Sequence, residues 1–406
     1  MDYPTDLSGL PLEVLVHMAL QMDIPEVLAF CQLSKRINRK VCRRKYFWKL
    51  LLAKDNLDIS PELIYKNGKF NWLLYFLIKY PEKFWDWDAL SKNPNITWEI
   101  VQTYPKLPWN WYDLSENPNI TWDIIKDNLN LPWSWYHLSE HPNITWEIVQ
   151  NNPDLPWNWI GLSENPNITW EIVQSNLDKG WNWYYLSRNP NITPEIVSNN
   201  PNHPWDWDGL SENPNITWEI VQSNLDKGWN WYYLSKNPNI TPEIIQQNLD
   251  KTWNWTKLSG NPNITWKFIQ QHLDRNWNWY ELSRNPNITW EIVQNNLDKD
   301  WSWYTLSENP NITLEIVSNN PNYSWKWEHI STNPNITWEI VKANLNKPWN
   351  WYWLSRNPNI TEGIIRQNPD YPWDWQGLSF NPNITWEFIQ QNSDKNWNWN
   401  WLSRKQ

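Results

Sequence analysis

A chain of 406 residues is long enough for two or three globular domains, but most of its 41 tryptophans recur at fixed intervals and replace that expectation with a repeat array. The formal net charge of −10 is split. Residues 1–84 carry 13 Lys or Arg against 9 Asp or Glu, leaving the remainder strongly acidic, which argues against a phosphate-backbone grip and against nucleic acid as a partner.

Other coarse features point the same way. The longest apolar run, Trp72–Ile78, falls far short of the roughly 20 residues that span a bilayer, so no membrane partner is expected. Cys31 and Cys42 are the only cysteines, and an array built without cystines fits a reducing compartment. Asp2 and Asp6 stand where an export signal would carry Lys or Arg. Cytosol or nucleus is the expected location.

In chain order, the first element is a helical head. Pro11 in Leu10-Pro11-Leu12-Glu13-Val14-Leu15 predicts one helix start and Pro25 in Asp23-Ile24-Pro25-Glu26-Val27-Leu28 a second. Apolar residues at helical spacing through Leu33 and Phe47-Trp48-Lys49-Leu50 complete a three-helix head with an apolar face. The order and spacing of these segments resemble an F-box over about 40 residues, with Ile37 where many F-boxes have Trp. The resemblance implies a head over residues 1–54 that docks a Skp-type cullin adaptor. Carried over by position, Leu10, Pro11, Val14, Leu15, Val27, Leu28, Cys31, Leu33 and Trp48 would make that contact, some of them also serving the head's own core. The basic run Lys35, Arg36, Arg39, Lys40, Arg43, Arg44 and Lys45 reads either as a nuclear import signal or, preferably, as a solvated helix face. Residues 55–84 read as a linker or a degenerate repeat capping the array.

From residue 85 to 406 the period is 24. Asn-Pro-Asn-Ile-Thr or a near-copy occurs thirteen times from Asn93 to Asn381, and a Trp-x-Trp pair recurs from Trp85 to Trp397. In the copy beginning at Trp181, Asn182 is placed to cap a first short helix, and Asn189-Pro190-Asn191 stops it. Thr193 is placed to cap a second helix, with Pro194 at its first position and Glu195 in its first turn. Lys326 is the one residue between paired tryptophans that cannot cap. Neither helix can hide its apolar side alone, and a buried Trp removes about 150–250 Å² from water. About 13 such repeats, all-α, are expected, with asparagine ladders satisfying loop carbonyls between them. Each Asn-Ile-Thr is formally a glycosylation acceptor, but acceptors locked to the period read better as turn chemistry.

The segment Asn189-Pro190-Asn191-Ile192-Thr193-Pro194-Glu195-Ile196-Val197 resembles the signature of the leucine-rich repeat variant family, whose period is also 24. That likeness implies an α/3₁₀ helical-repeat solenoid wound into a right-handed superhelix. The paired tryptophans and the missing iron-sulfur segment depart from the family. The Trp- and Asn-rich form is similar to repeat proteins of large DNA viruses of protists, which implies a viral source.

Two sets of array positions are candidates for target binding. One is a ladder of tryptophans following the capping Thr: Trp98, Trp122, Trp146, Trp170, Trp218, Trp266, Trp290, Trp338 and Trp386. Because the same site also holds Glu362, the ladder reads as part-exposed, or alternatively as packed flat on the next repeat. The other is a variable stripe on the first helix, including Tyr185 with Arg188, Tyr233 with Lys236, Glu281 with Arg284, His329 with Thr332, Trp353 with Arg356 and Trp401 with Arg404.

Head plus array is expected to be a non-enzymatic substrate receptor of a Skp-cullin-F-box ubiquitin ligase. It would be monomeric outside that complex, need no cofactor or metal, and hold a basic or extended-peptide target. The alternative is a structural or sequestering repeat protein, a virion or inclusion component. The six His show no ligand spacing.

Overall fold

The computed structural model describes residue 7, residues 10–66 and residues 68–405. The acidic start at Asp2 and Asp6 lies outside them. Among the described residues the protein is helical apart from one small hairpin, in two compact units: residues up to Ile120 together with Ile384 onwards, and Thr121–Asn383. None of the described helices is long and apolar enough to cross a membrane.

In the first unit, α1 (Leu12–Gln21) opens directly after Pro11. The next helix, α2 (Ile24–Gln32), carries Pro25 in its first turn and a reciprocal capping box between Asp23 and Glu26, which satisfies two amides that a helix start leaves orphaned. A short α3 (Lys35–Ile37), capped by Ser34, runs into a π-helical turn at Asn38–Cys42, and α4 (Lys45–Lys54) follows. Leu15, Ala19, Val27, Phe30, Ile37, Val41, Phe47, Trp48 and Leu52 form the buried centre. Cys31 and Cys42, with Cα atoms 5.9 Å apart, are joined as a disulfide. The reading of a reducing compartment rested on an array without cystines, and the head itself carries one.

Residues 55–84 are built onto this head. The segment α5 (Pro61–Ile64) leads into β1 (Tyr65–Lys66), which pairs antiparallel with β2 (Lys69–Phe70). Gly68 supplies the positive φ of 82° that so tight a turn demands. Trp48 stacks on Tyr65 at 4.6 Å and meets Phe70 at 5.3 Å, so residues 1–54 and 55–84 share a core. The next helix, α6 (Trp72–Lys79), is buried over Trp72–Leu77.

The repeats of the second unit follow one plan, illustrated from Trp181. The ring of Trp181 is buried, and its Nε1–H donates to Asn176 O at 2.8 Å. Asn182 Oδ1 accepts from the amides of Tyr184 and Tyr185 and starts the first helix, Trp183–Arg188. Thr193 Oγ1 accepts from Ile196 N at 3.3 Å and starts the second, Pro194–Asn199. Lys326 makes no cap bond, as its chemistry requires. Both segments are α-helical, where the family likeness implied 3₁₀ for one; i→i+3 bonds survive at the seams, from Asn189 N to Leu186 O (3.0 Å) and from Ile192 N to Asn189 O (2.9 Å).

Repeats are stitched by buried polar side chains rather than by apolar contact alone. Asn189 Nδ2 donates to Ser163 O and Asn165 O, while its Oδ1 accepts from Asn191 N. Asn191 Nδ2 donates to Pro166 O and Ile168 O, so the amide nitrogen that a glycan would need is already committed. Ser163 Oγ accepts from Asn182 N and donates to Trp159 O. His141 replaces the turn asparagine in one copy and keeps its function, its Nδ1 accepting from Asn143 N at 3.0 Å.

One arrangement was not expected. Within the first unit, residues 397–405 take the place of the repeat that would precede Trp85. Asn93 Nδ2 donates to Ser403 O (2.8 Å) and Lys405 O (3.1 Å), as Asn117 Nδ2 does to Ser91 O (2.7 Å) and Asn93 O (3.1 Å). Asp86 N donates to Ser403 Oγ (3.0 Å), matching Asn110 N to Ser91 Oγ (2.9 Å). Trp399 packs edge-on to Trp85 at 5.1 Å, matching Trp87 on Trp109 at 5.5 Å. Its other neighbours, Phe76 and Tyr80, lie on α6 and just after it. The helix Trp399–Leu402 and α6 thus form one composite repeat from segments more than 300 residues apart, joined in the register of consecutive copies.

Candidate functional site

The head residues expected at an adaptor contact divide by burial. Leu15, Val27, Cys31 and Trp48 are at most 2% exposed; Cys31 is tied in the disulfide, and Trp48 Nε1–H donates to Cys42 O. These four hold the head together, and the adaptor reading does not reach their side chains. Leu10 and Leu28 are half-buried, Pro11 is exposed, and Val14 and Leu33 are 41% and 54% exposed. The Arg36 guanidinium donates to Leu7 O (3.3 Å) and Leu10 O (2.8 Å), which draws the segment before α1 against α3. Leu10 and Pro11 are thereby brought to the end of the head where α2 finishes at Leu33. All seven residues of the basic run are exposed, as a solvated face requires.

In the array, the tryptophans after the capping Thr are packed. Trp170, Trp218, Trp338 and Trp386 are buried, Trp98, Trp122, Trp146, Trp266 and Trp290 are half-buried, and none is exposed. In the second unit these rings lie tilted against a first-position Trp, as Trp146 on Trp181 (5.7 Å), Trp218 on Trp253 (5.7 Å) and Trp338 on Trp373 (5.1 Å). The four buried rings fit the packed alternative, while the five half-buried ones keep part of their surface in water. Glu362 misled because its half-buried stem leaves the carboxylate free to turn towards Arg366, 3.7 Å away. The paired tryptophans also differ from each other: the first member is buried throughout, whereas the second is half-buried except at Trp399.

The variable stripe divides by position: its second member is exposed at Arg188, Lys236, Arg284 and Arg404 and half-buried at Thr332 and Arg356, whereas its first member is largely enclosed. Its position is filled by Asp113, His137, Gly161, Gly209, Thr305, His329 and Gly377, all buried, by half-buried Tyr185, Tyr233, Glu281 and Trp353, and by exposed Trp401. A Cβ on Gly209 would run into Tyr184 O and stand 3.0 Å from Ser187 Cβ, and Gly161 and Gly377 are equally confined by Tyr136 O and Tyr352 O. The stripe is where consecutive first helices touch, and residue size there sets their separation.

Polar members of this seam are paired. Tyr136 OH donates to Glu164 (2.8 Å), and burial followed by that carboxylate pushes the phenol well above its ordinary value. Tyr184 OH and Arg188 both reach Glu212, at 2.9 Å each. His329 Nδ1 meets Glu308 at 2.5 Å. Lys92 bridges Asp113 (2.7 Å) and Glu116 (3.1 Å), and its hydrogen bond to Asp113 raises its pKa. Arg356 lies over Phe380 at 4.2 Å and Trp353 at 4.6 Å, a layered cation-aromatic cluster on the helix surface.

What the sequence reading missed is the neighbouring row. The residue directly after each Trp pair is exposed and aromatic in several copies: Tyr112 (55%) in the first unit, and Tyr232 (39%), Tyr280 (43%) and Tyr304 (46%) in the second. The signal was present as Trp-Asn-Trp-Tyr, one residue before the stripe chosen for its variability. Among the described residues no three His, Cys, Asp or Glu side chains converge as a metal site would require. No protein-family model, no curated protein and no solved structure matches the chain.

Proposed function

We propose that the chain is a non-catalytic substrate receptor of a Skp-cullin-F-box ubiquitin ligase. The head docks the Skp-type adaptor through Leu10, Pro11, Val14, Leu28 and Leu33, and the array holds a protein target. The observation that carries the docking half is exposure without need. The head's core is closed by Leu15, Val27, Phe30 and Trp48, yet Val14 and Leu33 remain open to solvent. The target half is supported by the exposed tyrosines with the Trp353–Arg356–Phe380 cluster, since Tyr, Trp and Arg dominate binding hot spots.

The test is co-purification of the full chain with a Skp-type adaptor and its cullin. Val14→Asp with Leu33→Asp, both at exposed positions, abolishes capture while leaving the circular dichroism spectrum unchanged. Capture that is absent from the parent chain, or survives in the variant, removes the ligase reading.

One observation favours the second reading, a structural or sequestering protein. The Cys31–Cys42 disulfide fits an oxidising environment better than the cytosol. Thiol labelling after acid quench and denaturation of the protein from the cells that make it separates the two, because both cysteines are buried when folded, and a ligase subunit in the cytosol then yields two free thiols and a particle component none.

A further inference from the structure

Against a chain of net charge −10, one concavity of the head has no carboxylate among the described residues that line it. It occupies about 690 Å³ where α2 gives way to α3 and the π-helical turn. Lys35, Arg36, Arg39 and Arg43 line it, with Gln32 and Ser34 among them. The spacing explains the convergence. Lys35, Arg39 and Arg43 are four residues apart, which stacks them on one face of the helical path. Like charges so placed repel, yet among the described residues Lys35 and Arg39 have no acidic partner. Arg43 is steered by a neutral group, its Nε–H donating to Asn38 Oδ1 at 3.0 Å. The adjoining cleft shows the contrast, since there Lys45 is paired with Glu62 and Lys66 with Glu99.

We propose that this concavity binds a small polyanion carrying two or more linked phosphate groups. Its volume lies in the ~300–1,000 Å³ range of small-ligand sites. Three cations on one face match several negative charges spread over a few ångströms better than one. Arginine presents paired N–H donors to phosphate oxygens, and lysine adds a mobile point charge. A long nucleic acid would have to cross acidic surface, whereas a small anion feels only charges within a Debye length of about 8–10 Å.

The test is calorimetric titration of the full chain at about 0.1 M salt with tripolyphosphate, orthophosphate and ATP. Tripolyphosphate is expected to bind at least about tenfold more tightly than orthophosphate. Lys35→Glu with Arg39→Glu should weaken it by about a hundredfold, roughly tenfold for each charge-assisted bond lost. Lys49→Glu, an exposed change on α4 outside the lining, should alter it by less than about twofold. ATP binding comparably to tripolyphosphate assigns the site to the phosphate chain; ATP binding alone would mean that a base is being read and overturns the proposal. Equal losses in the double variant and in Lys49→Glu, or no heat from tripolyphosphate, would also overturn it. Both substituted side chains are exposed, and a thermal melt without ligand checks that the fold is intact.

Discussion

Removing the ring of Trp399 tests the composite repeat most directly. Trp399 is 6% exposed and touches Phe76 (5.6 Å), Tyr80 (5.6 Å) and Trp85 (5.1 Å), whereas its equivalent Trp279 is half-buried and meets Trp301 at 4.9 Å. Trp→Ala at a closed core site costs about 3–5 kcal/mol, and aromatic pairs add about 0.5–1.5 kcal/mol to the area term. Trp399→Ala should therefore lie near the top of that range. Trp279→Ala, with part of its ring already in water, should cost about 2 kcal/mol. In repeat proteins stability is a sum of unit and interface terms, so a last partial copy that was not seated before Trp85 would show the opposite order, fraying at little cost. Urea unfolding followed by circular dichroism gives the two values, and hydrogen exchange of residues 72–93 shows where the loss falls. If Trp399→Ala costs no more than Trp279→Ala, and residues 72–93 keep their protection, residues 397–405 are not seated before Trp85 and the composite repeat is wrong.

The seam and the head each carry a further prediction. Gly209→Ala places a methyl against Tyr184 O and should destabilise by about 1–2 kcal/mol, overpacking outweighing the helix-propensity gain. Gly363→Ala, where the nearest atom a new methyl would meet is Thr361 Oγ1 at 3.8 Å, should stabilise by about 0.5–1 kcal/mol; equal signs in thermal melts would refute the assignment of the stripe to helix spacing. The Glu62 carboxyl, held by hydrogen bonds from Lys45 and then Ser60, is lowered from 4.5 to about 2. Its small stabilising share is present above pH 4.5 and lost as pH falls through about 2, and it stays below the ~1 kcal/mol ceiling of exposed pairs. Carboxyl NMR should show that midpoint in the parent and a rise towards 4.5 in Lys45→Met; an unmoved midpoint removes the pair as its cause.

What sequence made legible was everything decided within about one repeat. Caps at Asn182 and Thr193, the failure to cap at Lys326 and the Asn-Pro-Asn stop are local hydrogen-bond problems, and local spacing solves them. Variation misled where it was taken as a measure of exposure. Gly209 and Thr305 share one position with Tyr185 and differ from it greatly in size, yet both meet the preceding first helix, so the position varies because helix separation varies. Exposure at Tyr232 and Tyr280 went unread for the same reason, since a recurring aromatic resembles a core residue until its neighbours are placed.

The composite repeat was beyond reach for a different reason. A 24-residue period states how each unit meets the next, but the small rotation between units is a packing property that no single copy encodes. Nor does any copy encode which distant segment fills the place before Trp85 in the first unit. The seam residues, small at Gly161, Gly209 and Gly377 and large at Tyr185, Tyr233 and Trp353, act on local fit alone. The composite pairing is recognised by its donor set, since Asn93 meets Ser403 and Lys405 at nearly the distances by which Asn117 meets Ser91 and Asn93. A strict period with an irregular seam follows, because the ladder of Asn, Ser and Trp fixes the unit while the variable residue fits each first helix to its neighbour.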